Sequence, residues 1–170
     1  VGASVNQDPE LFGGVIACVP FVDVLNTIMD PSLPLTPPEW DEWGNPIESA
    51  EIYNVMKGYC PYTNIGIGTA EGKTYPPILA LTAASDYRVT YWEPLKWIAK
   101  LRDQAKGGPF MMKTNMAAGH GGASGRYESY KEDAEYYAFA LSRFEELGYD
   151  ISVRPLTGKK AKPTSEPTAP

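Results

Sequence analysis

Residues 76–86 read Pro76-Pro-Ile-Leu-Ala-Leu-Thr-Ala-Ala-Ser-Asp86, an apolar run that opens on two prolines and closes on a serine and an acid. A continuous apolar run without alternation is the pattern of a strand covered on both faces, as in a parallel sheet. Gly14-Val-Ile-Ala-Cys-Val-Pro20 repeats that pattern on one side, and Phe110-Met-Met-Lys-Thr-Asn115 reads as a third strand on the other. Between the last two runs, Glu93 to Lys106 reads as a helix with Trp97, Ile98 and Leu101 on one face and Lys96, Lys100 and Arg102 turned outward. Gly107-Gly108 is expected to stop it. A second helix, from about Arg126 to Leu147, carries Tyr130, Ala134, Tyr137, Ala138, Leu141 and Phe144 as its expected core stripe, and Gly148 ends it. Strand, helix, strand, helix in alternation implies the α/β class, a parallel sheet flanked by helices.

The remaining segments are less regular. Val1 to Leu11 reads as the end of a helix closed at Asp8-Pro9, and Phe21 to Met29 as a helical turn or two. Asp30 to Pro46 holds five prolines and no clear periodicity, so a long irregular segment is expected there. Ser49 to Lys57 reads as a short helix ended by Gly58, and Ala117 to Ser124 as a loop of small residues. Residues 1–150 form the expected folded unit. A Pro-, Thr-, Lys- and Ala-rich tail over 151–170 is expected to be disordered.

Composition narrows the function. A length of 170 residues with 43% hydrophobic and 21% charged side chains suits one soluble globular domain. The net charge of −6 argues against nucleic acid as a partner, because phosphate binding needs clustered Lys and Arg. No apolar run reaches the length of a membrane span. Cys18 and Cys60 have neither a second Cys nor a His at ligand spacing, so they read as free buried thiols of a reducing, cytoplasmic compartment. No phosphate loop or metal-ligand cluster is present in the sequence, and neither a cofactor nor a metal is expected. The chain opens at Val1 inside a helix and without an initiator Met, which points to a fragment.

In parallel α/β sheets, functional side chains gather at the carboxyl ends of the strands. Asp86 lies just past one predicted strand and His120 in the loop after the next, 34 positions on, the span of one helix-plus-strand unit. Adjacent strands would bring the two side chains to one edge. There a carboxylate can fix the imidazole tautomer while the imidazole takes a proton from a nucleophile. Taken singly, Asp86 also reads as a turn former, and His120, the one histidine in the chain, as a surface residue of a glycine-rich loop.

Several blocks add to this reading. Leu11-Phe-Gly-Gly-Val-Ile-Ala17 with Val19-Pro-Phe-Val-Asp-Val-Leu-Asn-Thr27, Glu42-Trp-Gly-Asn-Pro46, Tyr91-Trp-Glu-Pro-Leu-Lys-Trp97, Ala99-Lys-Leu101, and Lys113-Thr-Asn-Met116 running into Gly119-His-Gly-Gly-Ala-Ser-Gly-Arg126 resemble the oligopeptidase B group of the prolyl oligopeptidase family. The resemblance runs from Val1 to roughly Leu147.

It implies the C-terminal portion of an α/β-hydrolase fold, incomplete in this chain, with Asp86 and His120 as the second and third members of a Ser-Asp-His triad. The nucleophile is expected in a Gly-x-Ser-x-Gly-Gly elbow shortly before Val1, and Ser4 is not it, since the elbow around it is absent. Oxyanion donors and a β-propeller that limits access to short peptides are likewise expected upstream, so this segment alone is expected to be inactive. The resemblance also implies that Glu39 and Asp41, the latter shorter than the usual Glu, set a preference for Arg or Lys before the scissile bond. Unaided, the acids of Pro38-Glu-Trp-Asp-Glu-Trp-Gly44 read rather as a solvated turn, while Trp40 and Trp43 are candidate walls of a pocket, as is Phe21, which reads first as core. A non-catalytic binding module descended from such a hydrolase is the alternative to an endopeptidase.

Overall fold

Short apolar strands need cover on both faces, and the helices of this chain bury the central strand while leaving much of the edge strand Phe110–Asn115 half-buried. The computed structural model describes residues 1–152. Its elements run α1 (Gly2–Gln7), β1 (Val15–Cys18), α2 (Val24–Ile28), α3 (Thr36–Trp43), α4 (Ala50–Tyr59), β2 (Thr74–Tyr75), β3 (Ile78–Ala83), α5 (Trp92–Gln104), β4 (Lys106–Gly107), β5 (Phe110–Asn115) and α6 (Arg126–Glu146). The main sheet has the order β1-β3-β5 with both pairings parallel. Val15 stands opposite Ile78, and Ile78 opposite Phe110, so the carboxyl ends of all three strands share one edge. A two-residue ladder joins β2 to β4.

The core forms around the central strand. Ile78 and Ala80 are fully buried, with Val5, Trp97 and Leu101 packed against the same cluster. Each fully buried side chain of that size contributes about 2 kcal/mol relative to exposure. A second cluster of Val24, Leu25, Ile28, Met56 and Cys60 holds α2, α3 and α4 together. That second cluster supports the elements whose side chains reach the site.

The structure departs from the sequence expectations in five places. The segment 30–46 is not irregular throughout: α3 lies within it, with prolines in its first turn, where a missing N–H leaves no bond unmade. Thr36 Oγ1 donates to Thr27 O at 2.8 Å and Trp40 Nε1 to Ile28 O at 2.9 Å, fastening α3 to α2. Helix α4 runs through Gly58 to Tyr59, started by a Ser49 side chain that accepts from Ile52 N. Helix α5 ends at Gln104, before the glycines expected to stop it, as Ala105 turns extended. Gly107 instead serves the β2–β4 ladder: its φ is +103°, and a Cβ there would lie 2.1 Å from Tyr75 O.

The stripe expected to face the core on α6 faces outward. Tyr130, Tyr137, Leu141 and Phe144 are 47–63% exposed, and Ala134 and Ala138 are exposed too. The inward face carries Phe139, buried, with Glu132 and Tyr136 half-buried beside it. Polar groups at the sheet edge explain the choice: Lys113, Asn115 and Ala123 N–H meet Glu135 and Glu132, which an apolar stripe would have left unpaired. Both cysteines are free, but only Cys60 is buried. Cys18 is exposed at the carboxyl end of β1, because that strand end opens into a cavity.

Of the tail expected over 151–170, residues 153–170 lie outside the described residues. No helix among the described residues is long and apolar enough to cross a membrane.

Candidate active site

Strand β3 ends at Ala83, and the turn beyond it is tied to the next loop by Ser85 N donating to Ala118 O at 3.1 Å. Asp86 follows with its side chain fully buried. Its Oδ1 accepts from Arg88 N at 2.9 Å and Val89 N at 3.0 Å, and its Oδ2 lies 2.9 Å from His120 Nδ1. Facing a carboxylate oxygen, which accepts, Nδ1 is the donor, and in the neutral ring Nε2 keeps its lone pair. No described residue hydrogen-bonds Nε2, and the His120 side chain is 32% exposed. A hydrogen bond to a charged acceptor is roughly twice as strong as a neutral one, so the ring orientation is firmly set. The register implied by the sequence thus does bring Asp86 and His120 into contact at one edge of the sheet.

His120 borders two cavities. One, about 210 Å³, lies against the strand ends, with Cys18, Thr82, Lys113, Glu132 and Tyr136 in its wall. Partial burial pushes the Cys18 thiol up, and Asp133, bonded to the Tyr136 hydroxyl, pushes that phenol up to about 12. The other is a cleft of about 520 Å³ whose wall includes Phe21, Glu39, Glu42, Trp43 and Arg88. Phe21 and Trp43 meet edge to face at 5.7 Å, whereas Trp40, also expected in the wall, is committed to Ile28 O.

The two acids expected to bind substrate are separated. Glu39 lines the cleft, half-buried, and burial followed by the charge of Glu42 raises its carboxyl above the ordinary range. Asp41 is exposed and does not line the cleft. Helix geometry accounts for this: residues three apart share a face, which pairs Glu39 with Glu42. The irregular segment expected at this place gave no such face to the reading.

Sequence reasoning also missed Glu93, which is 1% exposed and reaches the same cleft. Its Oε2 accepts from Val22 N and Asp23 N, both at 3.0 Å, and its Oε1 from Thr27 Oγ1 at 2.6 Å. Burial raises its carboxyl, and those hydrogen bonds pull it partly back. Asp23, also buried, pairs with Lys96, so that lysine is not simply an outward charge. A signal for Glu93 did exist: it precedes Trp97 and Leu101 by four and eight positions, on the buried face of α5. Among the described residues, no three His, Cys, Asp or Glu side chains converge as metal ligands.

A parallel sheet flanked by helices, carrying an acid and a histidine on adjacent strand ends, is the architecture of the C-terminal part of an α/β-hydrolase. The chain belongs to the prolyl oligopeptidase family, whose model matches residues 1–146. It is 46% identical over 144 residues to dipeptidyl aminopeptidase BI of Pseudoxanthomonas mexicana, covering 84% of this chain and 19% of that one. It is 49% identical over 144 residues to protease 2 of Moraxella lacunata, covering 84% and 20%. Oligopeptidase B from Leishmania major superposes with a TM-score of 0.78 at 40% identity, over 85% of this chain and 19% of that one. The chain therefore spans about a fifth of the length of these relatives.

Proposed function

We propose that residues 1–150 are the acid–base part of a serine oligopeptidase whose nucleophile lies upstream of Val1. The observation that carries this reading is the 2.9 Å contact between buried Asp86 and His120 Nδ1, with Nε2 left free beside two cavities. In the intact protein, the serine hydroxyl attacks a peptide carbonyl and its proton passes to His120 Nε2. Asp86 holds the ring and stabilises the imidazolium. The imidazolium then protonates the leaving amine, and water repeats the sequence to release the acyl group. Donors from the upstream half of the domain stabilise the oxyanion, and a propeller limits entry to short peptides.

Selectivity for Arg or Lys before the scissile bond is assigned to the α3 acids. Glu39 is the primary partner of the substrate cation. Glu42 stands beside it in the cleft wall, and Asp41, one face away, adds longer-range charge. A cytoplasmic location accords with two unpaired cysteines. The alternative of a non-catalytic module is disfavoured, because a chain released from catalysis has no need to keep the Asp86–His120 bond.

The deciding experiment is to read the coding DNA upstream of the Val1 codon. An in-frame Gly-x-Ser-x-Gly-Gly a few codons before Val1 is expected. A start codon in its place, or an elbow without serine, would overturn the peptidase reading.

A further inference from the structure

The His120 loop has little to hold itself in place. Ala117, Gly119, Gly121, Gly122 and Ala123 offer almost no side chain to pack, Ala118 is buried with its O accepting from Ser85 N at 3.1 Å, and the loop's own backbone closure is one contact, Gly122 N to Gly119 O at 3.0 Å. Such a segment samples many conformations unless something outside it fixes both ends. One residue of α6 does this. Glu132 Oε1 accepts from Asn115 Nδ2 where β5 enters the loop, and Glu132 Oε2 accepts from Ala123 N at 2.9 Å where the loop leaves. The Asn115 Oδ1 on the same amide accepts from Ala117 N at 3.0 Å, extending the clamp into the first loop residue. Room for the carboxylate depends on Gly122: its φ is +76°, and a Cβ there would stand 2.8 Å from Glu132 Oε2.

We infer that Glu132 is a positioning residue for His120: its carboxylate staples the two ends of the loop together and so holds the imidazole against Asp86. The inference rests on the reading of His120 as the acid–base residue. Glu132 does not touch the imidazole in the structure and stays outside the chemistry. Its role is to keep Nε2 within reach of the nucleophile. Misplacement by even an ångström is enough to lower the chemical step strongly while leaving substrate binding almost unchanged. The sequence offered no hint, since Glu132 sits on the face of α6 opposite the apolar stripe.

The test uses the intact protein that carries this chain, with Glu132→Ala, Glu132→Gln and His120→Ala compared on an arginyl amide substrate. Glu132→Ala is expected to lower kcat about 10- to 100-fold with KM within about twofold, and to speed exchange of the Ala123 amide. Glu132→Gln keeps one oxygen that can accept from Ala123 N, so it is expected to recover part of that loss and covers the case in which the alanine variant does not fold. A kcat within twofold of the parent in both Glu132 variants, while His120→Ala is inactive, overturns the positioning role and leaves the catalytic reading standing. Equal losses in kcat and in the fraction of folded protein also overturn it, reducing Glu132 to a stability residue. Full activity in His120→Ala overturns both.

Discussion

Asp86 and Glu39 both face the environment of His120, yet they are built in opposite ways. Asp86 follows the central strand, is fully buried, and has both oxygens occupied by two backbone N–H groups and one imidazole. Glu39 stands on a short helix at the wall of a cleft, half-buried, and no hydrogen bond from a described residue reaches its carboxylate. Burial and the neighbouring charge of Glu42 raise its carboxyl above the ordinary range. An acid whose partners all belong to the chain can only orient. An acid without partners is available to a ligand. Glu93 falls between the two, walled into Glu39's cleft but satisfied like Asp86.

That contrast can be broken by substitution. Asp86→Asn in the intact protein is expected to cost about 10⁴ in kcat with little change in KM, because an amide N–H facing Nδ1 favours the wrong tautomer. Steady-state kinetics on an arginyl substrate checks it, and a loss below tenfold would place Asp86 outside the mechanism.

Glu93→Ala leaves two buried backbone donors and the half-buried Thr27 hydroxyl unmet and should destabilise the fold by roughly 3 kcal/mol in a denaturant titration. Glu93→Gln should be far milder, since its oxygen can accept the two backbone bonds while its amide donates to Thr27. The pH dependence carries a definite sign. The folded Glu93 carboxyl is raised above its ordinary 4.5, so the protonated form favours the fold. That contribution is fully present below 4.5 and is lost as pH rises through the raised folded value. Relative to Glu93→Gln, the parent should therefore lose stability over that window. A parallel pair of stability-versus-pH curves would contradict the assignment.

The smallest effects concern selectivity. Glu39→Gln should reduce the preference for Arg over Leu about 10- to 100-fold, as expected for the loss of one partly desolvated charge partner. Glu42→Gln should reduce it less, and Asp41→Asn by no more than about threefold, since exposed charges interact weakly across solvent. Ratios of kcat/KM for the two substrates decide it, and an Asp41 effect equal to that of Glu39 would put the second acid back at position 41.

What the sequence made legible follows the same division. The run ending at Ala83 announced itself because a central strand between two neighbours writes a nearly unbroken apolar code, while Phe110–Asn115 showed itself by its apolar first half alone, its Lys113 being exposed. Register then placed Asp86 beside His120. Helix α3 was hidden because proline reads as a breaker unless it is known to sit in a first turn, and the Glu39–Glu42 face was hidden with it. The orientation of α6 was misread because its apolar stripe is the stronger pattern, while the contacts that fix the helix are two glutamates answering polar groups at the sheet edge. Apolar periodicity says how much of a helix can be buried. It does not say which face meets a polar partner.

The most direct test of the central claim is to treat the intact protein and its His120→Ala variant with a serine-directed fluorophosphonate and map the labelled residue. The account predicts rapid labelling of one serine upstream of Val1 in the parent and labelling slower by about 10³-fold or more in the variant. Equal labelling of both proteins, or no labelled serine upstream in the parent, would contradict it.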